Sequence, residues 1–258
     1  MTVHTPGGAR LSATSVHKRF ADGTIAIDRL DLDVEAGQFV SLVGPSGCGK
    51  STFLRLVAGL ADVTKGILTV DGLSPEQARA QHRRLAYVLQ DPTLLRWRRV
   101  WDNVALPLEL RAFPPVDIRS RVETALELVG LQDVGDMFPR QLSGGMRMRV
   151  SIARALVTAP KLLLMDEPFG ALDEITRDAL NVELLRIWEE TGTTIIFVTH
   201  SIAEAAFLGQ KVLVLATNPG RVREYLDVDL HFPRNLHDRD TAEFTSIAAH
   251  LRYLLETS

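Results

Sequence analysis

The chain has 258 residues, 46% of them hydrophobic, enough to bury a sizeable core as one large domain or as a domain with a subdomain. Its 29 basic and 32 acidic residues leave a net charge of −3, which argues against a general nucleic-acid binder. The single cysteine, Cys48, excludes an intrachain disulfide and suits a reducing compartment, and apolar runs such as Leu162–Met165 fall far short of the ~20 residues of a membrane span.

Met1 to Arg10 is polar and glycine-bearing, which predicts a disordered tail and no signal peptide, hence a soluble protein whose membrane contacts go through a partner. Leu11–Phe20 and Ala26–Val34 alternate in the β fashion around the turn Asp22-Gly23, predicting an antiparallel sheet at this end. The short β-prone run Phe39–Val43 then leads into GPSGCGKST, residues Gly44, Pro45, Ser46, Gly47, Cys48, Gly49, Lys50, Ser51 and Thr52. This fits G-x-x-x-x-G-K-[ST] at every fixed position. Glycines let the backbone turn so that successive N–H groups cradle a β-phosphate, Lys50 reaches the β- and γ-phosphates, and the Ser51 hydroxyl suits Mg²⁺. Ser51–Leu60 has helical apolar spacing, so the helix dipole points at the anion. The stretch predicts a nucleoside-triphosphate site. Phe20, upstream of the loop, is either core or a platform that stacks on adenine. Cys48 stands at a helix start, where a thiolate is favoured, so alkylation is expected to block ATP binding and bound ATP to protect.

Gly66–Gly72 reads as a strand with a terminal turn, and Arg84–Gln90 as a strand ending on Gln90, which is either a solvated glutamine or a contact to Mg²⁺ and the attacking water. From Asp91 to Pro160 the pattern turns helical. Trp97, Trp101 and Val104 are spaced as on one helix face, Pro114-Pro115 breaks the chain, and Val116–Val129 is amphipathic. Two of the three tryptophans fall here among arginines, as subdomain core or as a partner-docking surface. Ser143-Gly144-Gly145 opens a helix from about Met146 to Val157, with Ser143 as its cap. Lys161–Asp166 is a buried-type strand ending in Asp166 and Glu167. The first carboxylate suits Mg²⁺ held through water, the second a general base acting on water beside a γ-phosphate. A helix from Asp173 to Glu190 and a buried strand ending at His200 follow, then strands Lys211–Ala216 and Arg221–Val228 around the turn Asn218-Pro219-Gly220. A polar connector, Pro233–Asp240, precedes a final helix, Thr241–Leu255. His200 is structural or a γ-phosphate contact. Strands alternating with helices around a phosphate loop define an α/β fold with a largely parallel sheet.

GPSGCGKS, Gln90, LSGGM, LLLMDEP, ALD and His200 stand in the order and rough spacing of an ATP-binding-cassette nucleotide-binding domain, which the chain resembles from Phe20 to near Val228. QDPTLLRWRRVWDNVALPLEL and PGRVREYLDVDLHFPR resemble the subfamily serving nitrate, sulfonate, taurine, bicarbonate and thiamine-precursor importers. Met148 and Arg96 depart from the common pattern, which has glutamine and proline there. The resemblance implies a P-loop NTPase with a RecA-like core, an N-terminal antiparallel β subdomain and a helical signature subdomain, about 91–160, followed by a C-terminal helix at 241–258. It implies ATP and Mg²⁺ at Gly44–Thr52, with Ser51, Gln90 and Asp166 at the metal and Phe20 on adenine. Glu167 would be the base and His200 the γ-phosphate contact. Ser143, Gly144 and Gly145 would reach the ATP of an opposite subunit, which Asp173 bridges. The implied assembly is a homodimer at the cytoplasmic face of the membrane, gripping a permease through the helical subdomain and served indirectly by a solute-binding protein, without nucleic acid. A soluble cassette ATPase acting on nucleic acid or the ribosome is the alternative, which the acidic charge and the single cassette disfavour.

Overall fold

A computed structural model describes residues 7–81, 84–217 and 219–257. Near the N-terminus, β1 (Leu11–Arg19) pairs antiparallel with β2 (Ile25–Val34). After β3 (Phe39–Val43) and α1 (Lys50–Val57), β4 (Lys65–Val70) joins the other edge of β1, giving the order β2-β1-β4. The expected antiparallel sheet is therefore present, with the β4 stretch as its third strand. The short α2 (Pro75–Ala80), capped by Ser74, leads to β5 (Leu85–Val88). Three helices follow: α3 (Val100–Glu109), α4 (Pro115–Leu128) and α5 (Gly144–Leu156). The chain then alternates β6 (Leu162–Asp166), α6 (Glu174–Thr191), β7 (Thr194–Val198), α7 (Ile202–Leu208) and β8 (Lys211–Ala216), and ends on β9 (Arg221–Asp227) and α8 (Ala242–Glu256). The second sheet has the order β5-β6-β7-β3-β8-β9, parallel except for β9.

Alternation along these strands sorts side chains between two cores. Val40 and Leu42 of β3 and Leu162 and Leu164 of β6 face α1 and the small sheet, together with the fully buried Phe53. Phe39, Val43, Leu163 and Met165 face the opposite way, among α5, α6 and α7. A strand buried on both faces reads as a continuous apolar run, which is why β3, β6 and β7 are plain in the sequence. Alternation also fixes chemistry: Asp166 continues the Leu162–Leu164 face and so points at α1.

Three expectations change. Of the tail, Met1–Pro6 lie outside the described residues, but Gly7–Arg10 are ordered by packing. Ala9 is fully buried, its N–H donates to Lys161 O (3.0 Å) and its carbonyl accepts from Thr194 Oγ1 (2.7 Å). Trp97 does not share a helix face with Trp101 and Val104, because α3 starts only at Val100 after an extended Arg99; Trp97 is 75% exposed while Val104 is buried. Gln90 does not end a strand, since β5 stops at Val88. Met148 is buried among the subdomain helices, so this departure is packing. In the turn expected at Asn218-Pro219-Gly220, Asn218 lies outside the described residues.

The connector Pro233–Asp240 is less polar in effect than in sequence. Arg234 is buried with its guanidinium against the C-terminal end of α7, where Nη1 donates to Phe207 O (2.8 Å) and Gly209 O (2.9 Å) and Nη2 to Leu230 O (3.1 Å). It also stacks 3.9 Å from the Phe232 ring centroid. Burial lowers its pKa to about 10, so it stays charged at neutral pH beside the negative end of a helix dipole. Arg234→Ala is expected to cost on the order of 3 kcal/mol, because several carbonyls lose a charged donor at once. Urea unfolding measures this; an unchanged midpoint would remove the clamp from the list of stabilising contacts.

Candidate nucleotide site

The phosphate loop joins the C-terminal end of the inner strand β3 to α1, outside the carboxyl ends of the parallel strands, where ligands commonly bind. Gly49 holds φ 95°, and a Cβ there would meet Ala26 O at 2.6 Å, so both conformation and space demand glycine. Lys50 is buried, its ammonium donating to Gly44 O (2.8 Å) and Pro45 O (3.1 Å). The cation thus sits inside the ring of loop amides, poised over whatever anion they hold.

A cleft of about 440 Å³ opens over this loop, lined by Phe20, Ser46, Gly47, Gly49 to Thr52, Glu167 and His200, among others. Phe20 is 44% exposed at its margin, with Lys18 Nζ 5.5 Å from the ring centroid, which excludes the core reading. Across from the loop, Glu167 follows β6 with φ 50°, a left-handed backbone uncommon for a non-glycine residue and frequent where a site holds strain. Its N–H donates to Val198 O (3.0 Å), which anchors the turn to β7. His200 Nε2 lies 2.5 Å from Glu167 Oε1. The imidazole and the carboxylate are thus in direct polar contact across the cleft from the loop.

Beneath the cleft, Ser51 Oγ donates to Asp166 Oδ1 (3.0 Å) and the Tyr87 hydroxyl donates to Asp166 Oδ2 (3.0 Å). Burial first, and then the Asp166 charge, push the Tyr87 hydroxyl up, so it remains a neutral donor that aims the carboxylate at Ser51. Tyr87 was not among the expected site residues. Its signal is a phenol in the alternating run Leu85–Val88, in register with Leu164 two residues before Asp166. A hydroxyl and a carboxylate converging on the loop are hard oxygen donors, and no group of three or more potential His, Cys, Asp or Glu ligands occurs among the described residues. That set fits Mg²⁺, which keeps waters and substrate phosphates in its shell rather than a protein cage.

Gln90 lies outside the loop cleft, in an adjoining one of about 280 Å³ shared with Glu167 and His200. Ser143 caps α5, accepting from Met146 N (3.2 Å), and Asp173 caps α6, accepting from Thr176 N (2.9 Å). These two helix starts abut, for a Cβ on Gly145 would meet Thr176 Cγ2 at 2.6 Å. Ser143, Gly144, Gly145 and Asp173 therefore form one patch, and none of them lines either cleft beside the phosphate loop.

Cys48 corrects a further expectation. Its side chain is fully buried beside Leu213 and Leu215, and burial pushes the thiol up despite Lys50 Nζ at 4.0 Å. At pH 8 the folded thiol stays protonated. Iodoacetamide is expected to modify it at least ~10-fold more slowly than in urea-unfolded chain, read by mass spectrometry; equal rates would restore the reactive-thiolate reading.

A phosphate loop on a parallel sheet, facing a carboxylate–histidine pair across a cleft, defines a P-loop nucleoside triphosphatase. Residues 27–170 match the ABC transporter family. The chain belongs to that family and is an ATP-binding-cassette ATPase. It is 46% identical over 211 residues to the taurine import ATP-binding protein TauB of Rhizobium johnstonii, covering 82% of this chain and 79% of that protein. The aliphatic sulfonates import ATP-binding protein SsuB of Bacillus anthracis is 39% identical over 228 residues, 87% and 88% of the two chains. Among solved structures, cbiO1 of Clostridium perfringens, part of the transporter complex cbiONQ, superposes with a TM-score of 0.79 at 26% identity over 94% of both chains. The dimeric cassette MJ0796 bound to ADP and Pi gives 0.74 at 30% identity over 86% of this chain and 100% of that one.

Proposed function

We propose that the chain is the ATP-hydrolysing subunit of a membrane importer for a small anionic solute of the sulfonate or taurine type, working as a homodimer on the cytoplasmic face. One observation carries the dimer: the Ser143–Gly145 and Asp173 patch is separated from the phosphate loop of its own chain. A second copy, related by a two-fold axis, supplies that patch to the loop and completes two equal sites at once. The dimeric form of MJ0796 with ADP and Pi supports this arrangement, and the import names of TauB and SsuB support the solute class.

Within each site, Lys50 and the loop amides Gly44–Thr52 bind and neutralise the phosphates, while Phe20 stacks on adenine. Mg²⁺, held by Ser51 with Asp166 and Gln90 nearby, would supply charge neutralisation between phosphate oxygens. Glu167, once released from His200, orients and deprotonates the attacking water. His200 then faces the γ-phosphate, and Ser143 with the α5 amides reaches it from the opposite copy. Catalysis of this kind is positioning plus charge stabilisation. The permease is assigned to the cleft of about 760 Å³ lined by Gln90, Arg96, Arg140, Arg147 and Ala171, and Gln90 would then stand between partner and nucleotide. A solute-binding protein acts upstream of the permease. No described helix is long and apolar enough to cross a membrane, which leaves translocation to that partner.

The solute class is tested by deleting the gene from its host and supplying taurine or ethanesulfonate as sole sulfur source. Growth is expected to stop and to return with the wild-type gene. Undiminished growth on both would remove this solute class while leaving the ATPase untouched.

A further inference from the structure

His200 sits in the tripeptide Thr199-His200-Ser201 that joins β7 to α7, and this turn is fastened by one buried side chain. The Thr199 hydroxyl donates to Glu204 Oε2 and accepts from Ser201 N (2.9 Å), while Glu204 N donates to Ser201 Oγ (3.2 Å). Glu204 is 5% exposed, and its second oxygen, Oε1, has no hydrogen-bond partner. Facing it at 3.8 Å is Arg177 Nε, on the first turn of α6, which is also buried without a partner. Arg177 Nη2 meanwhile donates to Leu172 O (2.8 Å), the residue before Asp173. Asn181, one turn along α6, and Arg239, from the 3₁₀ turn Leu236–Asp240 and itself paired with Asp178 (2.6 Å), complete the polar surroundings of this carboxylate. Glu204 and Arg177 also line the cleft shared by Gln90, Glu167 and His200.

A carboxylate and a guanidinium left 3.8 Å apart in a buried setting stand about 1 Å short of a charged hydrogen bond. Glu204 is desolvated in this arrangement, and the Arg177 Nε that faces it is unpaired until the two approach. A small shift of the α6 start toward α7 closes that gap, and the α6 start carries Leu172 and Asp173. We propose that Arg177 and Glu204 are positioning residues that link the Leu172–Asp173 segment to the His200 turn, so that movement at the proposed dimer contact sets where His200 stands against the γ-phosphate. The link acts through Thr199 and Ser201 on the one side chain between them.

The test is made on purified chain by steady-state ATP hydrolysis, urea unfolding and a double-mutant cycle. Glu204→Gln keeps an acceptor for Thr199 and removes the charge that faces Arg177. Its kcat is expected to fall about tenfold with KM for ATP within about twofold and the unfolding midpoint near wild type, the pattern of an interaction felt only in the transition state. Arg177→Met, on a side chain that is one-third exposed, is expected to do the same and serves if the Glu204 variant does not fold. The double variant is expected to be no slower than either single, since both cut one connection. Turnover within about twofold of wild type in both singles, losses that multiply in the double, or a KM rise that matches the kcat fall would overturn the link. The inference rests on the proposed role of His200, so His200→Ala runs alongside. Wild-type turnover in that variant would remove the role and the link together, whereas an inactive His200→Ala beside fully active Glu204→Gln and Arg177→Met would remove the link alone.

Discussion

Glu167→Gln is expected to lower ATP turnover by at least ~10²-fold while ATP stays bound, trapping a dimer that forms only with ATP. The physical reason is local. Glu167 is the carboxylate across the cleft from the phosphate loop, held there by a left-handed backbone and by its N–H on Val198 O. An amide keeps the shape and cannot take a proton, so binding survives and chemistry stops. Single-turnover hydrolysis and size-exclusion chromatography with and without ATP measure the two halves of this statement. Turnover at the wild-type rate would take the base role away from Glu167; a dead enzyme that stays monomeric with ATP would take away the shared site instead.

Lys50→Ala acts one step earlier, on binding. The ammonium is buried inside the loop with two carbonyls as partners, and the variant leaves those carbonyls facing the phosphates without a cation. Loss of charge-assisted hydrogen bonds to phosphate is expected to weaken ATP affinity about 100-fold, roughly 3 kcal/mol. Adenosine, which has no phosphates, is expected to bind both forms equally. A titration with a fluorescent ATP analogue, repeated with adenosine as competitor, reads both; undiminished ATP affinity in Lys50→Ala would contradict the placement of the triphosphate on this loop.

Much of this was legible in the sequence because the relevant signals are local. The strands β3, β6, β7 and β8 are apolar runs that end within a residue or two of where the pattern places them, and Ser143 and Asp173 cap the helices they precede. What the sequence withheld depends on tertiary contacts. The helices α2 and α7 span six and seven residues, too short to show a helical period. Cys48 looks like a thiolate from its place at a helix start, and only the packing of β8 against the loop shows it buried. Trp97 satisfies helical spacing but stands ahead of the helix. Tyr87 and Glu204 sit in stretches with no motif, and Arg234 ends the stretch PGRVREYLDVDLHFPR, whose resemblance says nothing of its contacts; each matters through partners far away in the chain: Asp166 on the neighbouring strand for Tyr87, the start of α6 for Glu204, and the end of α7 for Arg234. The separation of the Ser143 patch from the phosphate loop is likewise a fact of three dimensions.

This ATPase is proposed to drive a membrane partner. The most direct measurement is affinity purification of the tagged chain from detergent-solubilised native membranes, with the bound proteins identified by mass spectrometry. The expected result is co-purification of an integral-membrane permease in stoichiometric amount, lost when Arg140 and Arg147 in the large cleft beside Gln90 are both changed to glutamate. Recovery of ribosomes or nucleic acid with no membrane protein would contradict the importer and leave the ATP chemistry to serve a soluble partner.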